Sequence, residues 1–170
     1  TQSDVAGRFP LKIYRAENLD DENRLAYLGE LRESAQPADF IFEERLALSV
    51  PNCAQNKDGN VQIRLTWALI GERLDVNRSI FVHLWQGGEI VDQADGQFLA
   101  GLLPIHEFGS GQLQLAEHRT LSSQGPPPYK VGIGLYNPAD GQRSLAEDML
   151  GNPVKGNYIL LDCDGRDNKK

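Results

Sequence analysis

The amino-acid sequence predicts an all-β fold: an antiparallel β-sandwich of roughly seven or eight strands, with jelly-roll or immunoglobulin-like topology and one short peripheral N-terminal helix. Apolar and polar residues alternate over many short segments, turn-forming residues recur between them, and strands do not alternate regularly with helices. We expect residues 1–38 to form an N-terminal extension with a strand and the helix, 39–163 the β-sandwich domain, and 164–170 a polar tail.

The helix is predicted at residues 19–34, after a weak strand pattern. Acidic residues at 20–22 would lie in its first turn, where the helix dipole favours negative charge. Leu25, Leu28 and Leu31 follow at a spacing of three and would form one apolar stripe. An ordered linker is the alternative interpretation of this segment.

The next part of the chain alternates more clearly. Residues 40–50 predict one half-buried strand, followed by a loop from Pro51 to Gly59. The clearest strand comes next, because five apolar side chains alternate strictly with other residues. A period of two places them on one face, so we expect them to face the interior together: Val61, Ile63, Leu65, Trp67 and Leu69.

The central strand is predicted at residues 79–85, because large apolar side chains on both of its faces indicate a strand that is covered on both sides. Gly87 and Gly88 can supply the positive φ angles of a two-residue turn, so that residues 90–96 return as the second strand of a hairpin. The pattern assigns Ile80, Val82 and Leu84 to one face of the central strand and Phe81 and Trp85 to the other.

The remainder of the chain continues the β pattern. Residues 97–111 predict a long excursion from one sheet to the other. Farther along, Gly132 and Gly134 would let the ring of Trp85 or Phe81 lie across the backbone. Strands are predicted at 113–121, 129–136 and 158–163, with a turn at 137–141 and an irregular segment at 142–156.

Charge and composition limit the classes of function. The net charge of −7 and the isoelectric point near 4.9 disfavour binding to nucleic acid or to an anionic membrane surface. No apolar run approaches the roughly 18 residues that span a bilayer, so we expect no direct membrane insertion by this segment. The chain starts at Thr1 without a signal-peptide pattern, which we interpret as a processed protein or a piece of a longer one.

The chain has two cysteines, Cys53 and Cys163, which are too far apart in sequence for a zinc knuckle or a CxxC redox pair. In an exported protein they would be paired, and in a cytosolic protein they would be two unrelated thiols. Both stand at the ends of predicted strands, and we expect a disulfide bond between them.

No catalytic or metal-binding arrangement stands out. Zinc needs three or four converging ligands, and the glutamate that closes a calcium-binding EF-hand loop is missing. No Gly-x-Ser-x-Gly elbow and no phosphate-binding glycine loop occurs. We therefore expect no enzyme activity, no cofactor and no metal. The residues considered for a metal are His83, His106, His118, Asp92, Asp95, Asp162, Asp164 and Asp167.

A carbohydrate site is the leading functional hypothesis. A pyranose needs a flat apolar platform for its C–H face and fixed polar partners for its hydroxyls, which aromatic rings, amides and carboxylates supply. We predict such a site on the face of the central strand that carries Phe81, His83 and Trp85, or in the loop 97–111 beside it. The main alternative is a spacer or protein-interaction domain in which the aromatic rings only close the core. A free-standing hydrolase is the third hypothesis. The predicted ligand-binding residues are Phe81, His83, Trp85, Gln93 and Asp95.

Several short motifs recur in the order found in a known family: Arg64-Leu65-Thr66-Trp67, Phe81-Val82-His83-Leu84, Gln93-Ala94-Asp95-Gly96, and Tyr129 with residues 132–136. Over about residues 40–145 the chain resembles the β-sandwich region of bacterial membrane-anchored proteins, often next to polytopic segments similar to dolichyl-phosphate-mannose-type glycosyltransferases. The resemblance implies an extracytoplasmic location, periplasmic or at the cell surface. It also implies a non-catalytic accessory role, because the glycosyl transfer resides elsewhere in such proteins. We expect a glycan or the remainder of a membrane-anchored protein as the partner.

Overall fold

The computed structural model describes residues 11–17, 24–33, 38–70, 72–74, 77–108 and 113–163. This part of the chain is mostly antiparallel β-structure, arranged as a seven-stranded sheet and a four-stranded sheet. We call them the large sheet and the small sheet.

The large sheet contains β1 (Leu11–Glu17), β2 (Arg24–Glu33), β3 (Phe40–Phe42), β4 (Leu46–Gln55), β5 (Asn60–Leu69), β8 (Leu113–Ser122) and β10 (Ala146–Asp148). Its strand order is β1-β2-β8-β5-β4-β3-β10. The small sheet contains β6 (Ser79–Gln86), β7 (Glu89–Gln93), β9 (Tyr129–Tyr136) and β11 (Ile159–Cys163), in the order β11-β9-β6-β7. Short 3₁₀ turns lie at Leu99–Gly101, Ile105–Glu107 and Lys155–Asn157.

The prediction of an N-terminal helix is wrong, because Arg24–Glu33 forms strand β2. This strand pairs with β1 on one side and with β8 on the other, where Leu31 lies opposite Leu115. Hydrogen-bonded neighbours on both sides outweigh the helical spacing of the leucines, since tertiary context overrides a local pattern. The predicted helix start at 19–23 and its last residue lie outside the described residues.

The prediction of one strand over residues 40–50 is also wrong, because this segment is the hairpin of β3 and β4. The N–H of Arg45 donates to the carbonyl oxygen of Phe42 at 3.0 Å and closes the turn. Glu43 and Glu44 are its central residues, with φ angles of 52° and 57°. Two-residue turns of this kind favour asparagine and glycine, so a Glu-Glu pair carries no recognisable turn signal.

The predicted loop after Val50 is shorter than expected, because β4 continues to Gln55. The register of β4 against β5 shifts between Ser49 and Asn52, and Pro51 lies within this irregularity. Proline is tolerated at such a position because it lacks the N–H that a regular ladder would require.

The core is one hydrophobic cluster to which both sheets contribute. The prediction for β5 is confirmed, because all five of its alternating apolar side chains are buried. The predicted hairpin is confirmed as well: β6 pairs with β7, and Gly87 and Gly88 have φ angles of 62° and 90°. Ile80, Val82 and Leu84 point from β6 into the cluster.

A charged pair is buried beside this cluster, on the face of β8 that also carries Leu115 and Leu121. Arg119 Nη2 lies 3.1 Å from Glu117 Oε1. Glu117 also accepts hydrogen bonds from the indole Nε1 of Trp67 at 3.1 Å and from the N–H of Leu99 at 2.9 Å. The pair thereby holds the excursion between β7 and β8 against the large sheet.

The predicted disulfide bond between Cys53 and Cys163 is present. The two Cα atoms are 5.9 Å apart, within the usual range for a disulfide. Cys53 belongs to β4 and Cys163 to β11, so the bond joins the large sheet to the small sheet. Among the described residues, no helix has the length and apolar character needed to cross a membrane.

Candidate functional site

An aromatic cluster lies on the face of β6 opposite the core. The ring centroid of Phe81 is 5.0 Å from that of His83, 6.3 Å from that of Tyr136 and 6.4 Å from that of Tyr158. The guanidinium of Arg143 covers the Phe81 ring at 5.3 Å, so Phe81 is a buried part of this cluster.

Two glycines of β9 make room for the rings, as predicted. A Cβ atom on Gly134 would lie 2.5 Å from Phe81 Cζ, and one on Gly132 would lie 3.3 Å from Trp85 Nε1. Both rings therefore rest on backbone that carries no side chain, which explains why the strand alternates glycine with apolar residues.

Replacing Gly134 with alanine should lower the free energy of unfolding by about 1–3 kcal/mol, because overpacking displaces a well-packed ring. The added methyl group must displace Phe81, since their atoms would be 2.5 Å apart. Urea unfolding monitored by circular dichroism measures the loss. Gly132→Ala is the matched control, with a smaller expected loss because its closest contact is 3.3 Å. A Gly134→Ala protein as stable as the parent would contradict this packing.

Next to the cluster, Trp85 lines a pocket of about 370 Å³, which we call the aromatic pocket. Tyr158 lines it as well, and both rings are half-buried. Lys130 Nζ and Asp162 Oδ1 form an ion pair of 2.9 Å within its lining. The pocket therefore combines two partly exposed rings with a solvent-exposed pair of opposite charges. Gly87, Gly88, Pro128 and Leu160 complete the lining.

Of the five predicted ligand-binding residues, only Trp85 lines this pocket. His83 Nε2 lies 3.2 Å from Asp95 Oδ2, and Asp95 Oδ1 accepts the N–H of Val82 at 3.0 Å. Gln93 is exposed and pairs with His83 across the strands. Direct ligand contacts by Phe81, His83, Gln93 and Asp95 remain a prediction, and these four residues do not belong to the lining of the aromatic pocket.

The lining residues that the sequence reasoning missed include Tyr158, Leu160 and Asp162 near and in β11, and Lys130 in β9. The alternation of residues 158–163 could have identified Tyr158, Leu160 and Asp162 as residues that share one face of the strand. Ile159, Leu161 and Cys163 belong to the core or pack against it, which directs the intervening residues to the opposite face. The adjacency of β9 and β11, which brings Lys130 to Asp162, has no counterpart in the sequence pattern.

Of the described residues weighed for metal binding, His83 and Asp95 form a pair, which supplies too few ligands for a metal site. No group of three or more His, Cys, Asp or Glu side chains that could hold a metal ion occurs within the described ranges. Asp92 instead accepts the N–H of Ser122 at 2.6 Å, and His106 and His118 lie on separate elements. Asp164 and Asp167 are outside the described residues.

Asp148 carries the clearest electrostatic effect. Its Oδ2 accepts a hydrogen bond from the side-chain amide of Asn152 at 2.9 Å, and its Oδ1 accepts the N–H groups of Leu150 and Asn152. The pKa of Asp148 therefore lies below its ordinary value of 3.8, chiefly because of the Asn152 side chain. Since the folded-state pKa is lowered, this stabilisation is present at neutral pH and is lost as the pH falls through the folded value.

Comparison with protein-family models, with curated proteins and with solved structures found no match to this chain. The geometry of the site is therefore the basis for the function proposed below.

Proposed function

We propose that the chain is a non-catalytic accessory domain that binds carbohydrate in the aromatic pocket. The observation that carries the proposal is the joint, partial exposure of Trp85 and Tyr158 in one pocket of about 370 Å³. This volume falls within the range of small-molecule sites in proteins. Rings that served only to close the core would be covered instead.

The chemistry of the lining suits a sugar. The C–H face of a pyranose packs on an indole or phenol ring, and its hydroxyls take hydrogen bonds from fixed polar groups. Lys130 donates and Asp162 accepts, and hydrogen bonds to ionised groups are stronger than neutral ones. Gly87 and Gly88 add no side chains at the rim, so a ring can approach the backbone there.

The wider setting of the proposal is an extracytoplasmic β-sandwich that belongs to a larger, membrane-associated protein. The Cys53–Cys163 disulfide supports an oxidising compartment such as the periplasm or cell surface. The shared hydrophobic cluster of two antiparallel sheets supports the sandwich arrangement, of jelly-roll or immunoglobulin-like type.

A saccharide titration followed by tryptophan fluorescence tests the proposal. The chain has two tryptophans, and Trp67 is fully buried, so a sugar-dependent change reports on Trp85. One stacked ring with a few hydrogen bonds should give a dissociation constant on the order of millimolar to tens of micromolar.

Trp85→Ala should abolish binding, as measured by calorimetry or ligand-observed NMR because the fluorescent reporter is lost. Leu150→Ala is the control, since Leu150 is 87% exposed and does not line the pocket. Flat titrations across common bacterial glycans, with Trp85 shielded from quenchers, would overturn the proposal.

A spacer or protein-interaction domain is the second candidate. It is favoured by the exposed apolar side chains of Leu145, Met149 and Leu150, which flank and follow β10. Exposed apolar groups close together are typical of protein contacts. A domain of this kind would show no response in the saccharide titration.

A further inference from the structure

The connection from β5 to β6 carries a motif for N-linked glycosylation, Asn77-Arg78-Ser79. The motif consists of an asparagine, any residue except proline, and then a serine or threonine. Of the ten asparagines in the chain, only Asn77 has a serine or threonine two positions later. Because so short a motif also occurs by chance, its structural setting decides its meaning.

The folded structure leaves the side chain of Asn77 open to solvent. Asn77 is exposed and lies in irregular backbone two residues before β6. Its carbonyl oxygen accepts a hydrogen bond from Arg78 Nη1 at 3.3 Å, whereas its side-chain amide has no partner among the described residues. An oligosaccharide attached to Nδ2 therefore breaks no contact with this part of the chain.

The location of the disulfide agrees with this modification. N-linked oligosaccharides are surface features of secreted proteins. The Cys53–Cys163 bond is of the kind that forms and persists in the same oxidising compartments. An exposed motif asparagine and a disulfide are independent features of the chain, and both are typical of an exported protein.

Asn77 lies at the opposite end of β6 from the aromatic pocket. The strand begins at Ser79, and the pocket is lined by Trp85 near its other end. Six residues of extended strand separate these two positions by about 20 Å. A glycan on Asn77 therefore leaves the aromatic pocket open, and the inference does not depend on the proposed carbohydrate-binding function.

The other two residues of the motif are fixed by the fold. Ser79 is 6% exposed and pairs with Tyr136 of β9. Arg78 Nε donates to Glu43 Oε1 at 2.7 Å, and the carbonyl oxygen of Arg78 accepts from Gln97 Nε2 at 2.5 Å. The hydroxyl group that the motif requires is therefore covered once β6 has paired with β9.

We propose that Asn77 is an N-glycosylation site and that the oligosaccharide is attached before β6 pairs with β9. In the transfer, Asn77 Nδ2 attacks the anomeric carbon of an oligosaccharide carried on a polyprenyl-type lipid diphosphate. A nitrogen–carbon bond forms, and the bond from that carbon to the diphosphate oxygen breaks. The lipid diphosphate leaves with the electron pair, and the amide proton passes to a base of the oligosaccharyltransferase.

The test compares two forms of the full chain as acceptors for a purified oligosaccharyltransferase supplied with a lipid-linked oligosaccharide. One form is folded and oxidised. The other carries Trp67→Ala and is reduced and alkylated at both cysteines, since these two losses together match the stability of a typical domain. Circular dichroism confirms that it is unfolded. We expect it to be modified at least about tenfold faster, because the folded form must first open locally.

Peptide mapping identifies the modified residue. Peptide-N-glycosidase removes the oligosaccharide and converts the modified Asn77 to aspartate. Mass spectrometry detects this change in the tryptic peptide 74–78, which lies between the cleavage sites after Arg73 and Arg78. We expect the same converted peptide from the protein isolated from the cells that produce it.

Three variants of the unfolded form test the motif without interference from folding. Asn77→Gln and Ser79→Ala should each abolish the modification, and Ser79→Thr should retain it because the hydroxyl is kept. Asn52→Gln is the matched control, since Asn52 is also exposed in the folded protein and stands outside the motif. It should be modified like the parent.

Equal rates for the folded and unfolded forms would overturn the proposed order of events. The site itself is overturned if the unfolded form is not modified, if the oligosaccharide maps to another residue, or if the natural protein yields only the unconverted peptide. The saccharide titration of the aromatic pocket is a separate measurement, so its outcome leaves these results unaffected.

Discussion

Trp67→Ala is expected to lower the free energy of unfolding by about 3–5 kcal/mol, as large aromatic truncations in protein cores do. The indole is fully buried, and its ring centroid lies 6.0 Å from that of Phe42 and 5.8 Å from that of Phe98. The substitution also removes the N–H that donates to Glu117, which leaves this buried carboxylate with fewer donors.

Urea unfolding measures the effect of Trp67→Ala, and Gln62→Ala on the same strand is the control. Gln62 is exposed on the other face of β5, so its truncation should change stability by less than about 0.5 kcal/mol. A loss below about 1 kcal/mol for Trp67→Ala would mean that this face of β5 does not lie in the core.

Breaking the Cys53–Cys163 disulfide should have an effect of similar or larger size. The bond closes a loop with a sequence separation of 110 residues. In the chain-entropy model such a loop stabilises the folded state by about 4–5 kcal/mol, because the open unfolded chain is freer than the closed one. Urea unfolding with and without a reductant measures the difference.

The reduction experiment is specific for this disulfide, because the chain contains no other cysteine. A reductant therefore acts on this bond alone, and the double variant Cys53→Ser/Cys163→Ser should unfold at the same urea concentration as the reduced protein. Two free thiols by mass spectrometry under non-reducing conditions would contradict the bond and weaken the case for an oxidising compartment.

The elements that the sequence predicted correctly are those whose residue pattern is set by burial in the core or by a required backbone angle. The alternation in β5 is strict because every second side chain enters the core, and the hairpin of β6 and β7 has two glycines at positions that require positive φ. The role of Gly132 and Gly134 in β9 was also predicted correctly, because only a residue without a Cβ atom allows an aromatic ring to lie so close to the backbone.

The errors arose where tertiary pairing or unusual turn chemistry decided the structure. In β2 the leucine spacing suggested a helix, but pairing with β1 and β8 made it a strand. The β3–β4 turn places Glu43 and Glu44 at positive φ, which residue preferences would not anticipate.

The candidate site was only partly predictable from the sequence. Trp85 could be proposed from its strand alone, whereas the pocket also requires Tyr158, Lys130 and Asp162 from two other segments. A pattern along one strand carries no information about which strand will lie beside it, so the assembly of the pocket emerges only at the level of the sheet.

The buried pair of Glu117 and Arg119 selects one alignment of β8 in the large sheet. Leucines alone would tolerate a slip of two residues, because such a shift keeps every side chain on its original face. The slip would move Glu117 by roughly 7 Å along the strand, away from the donors on Trp67 and Leu99. A buried carboxylate would then lack its partners, which costs several kcal/mol, so we expect this pair to disfavour the slipped alignment.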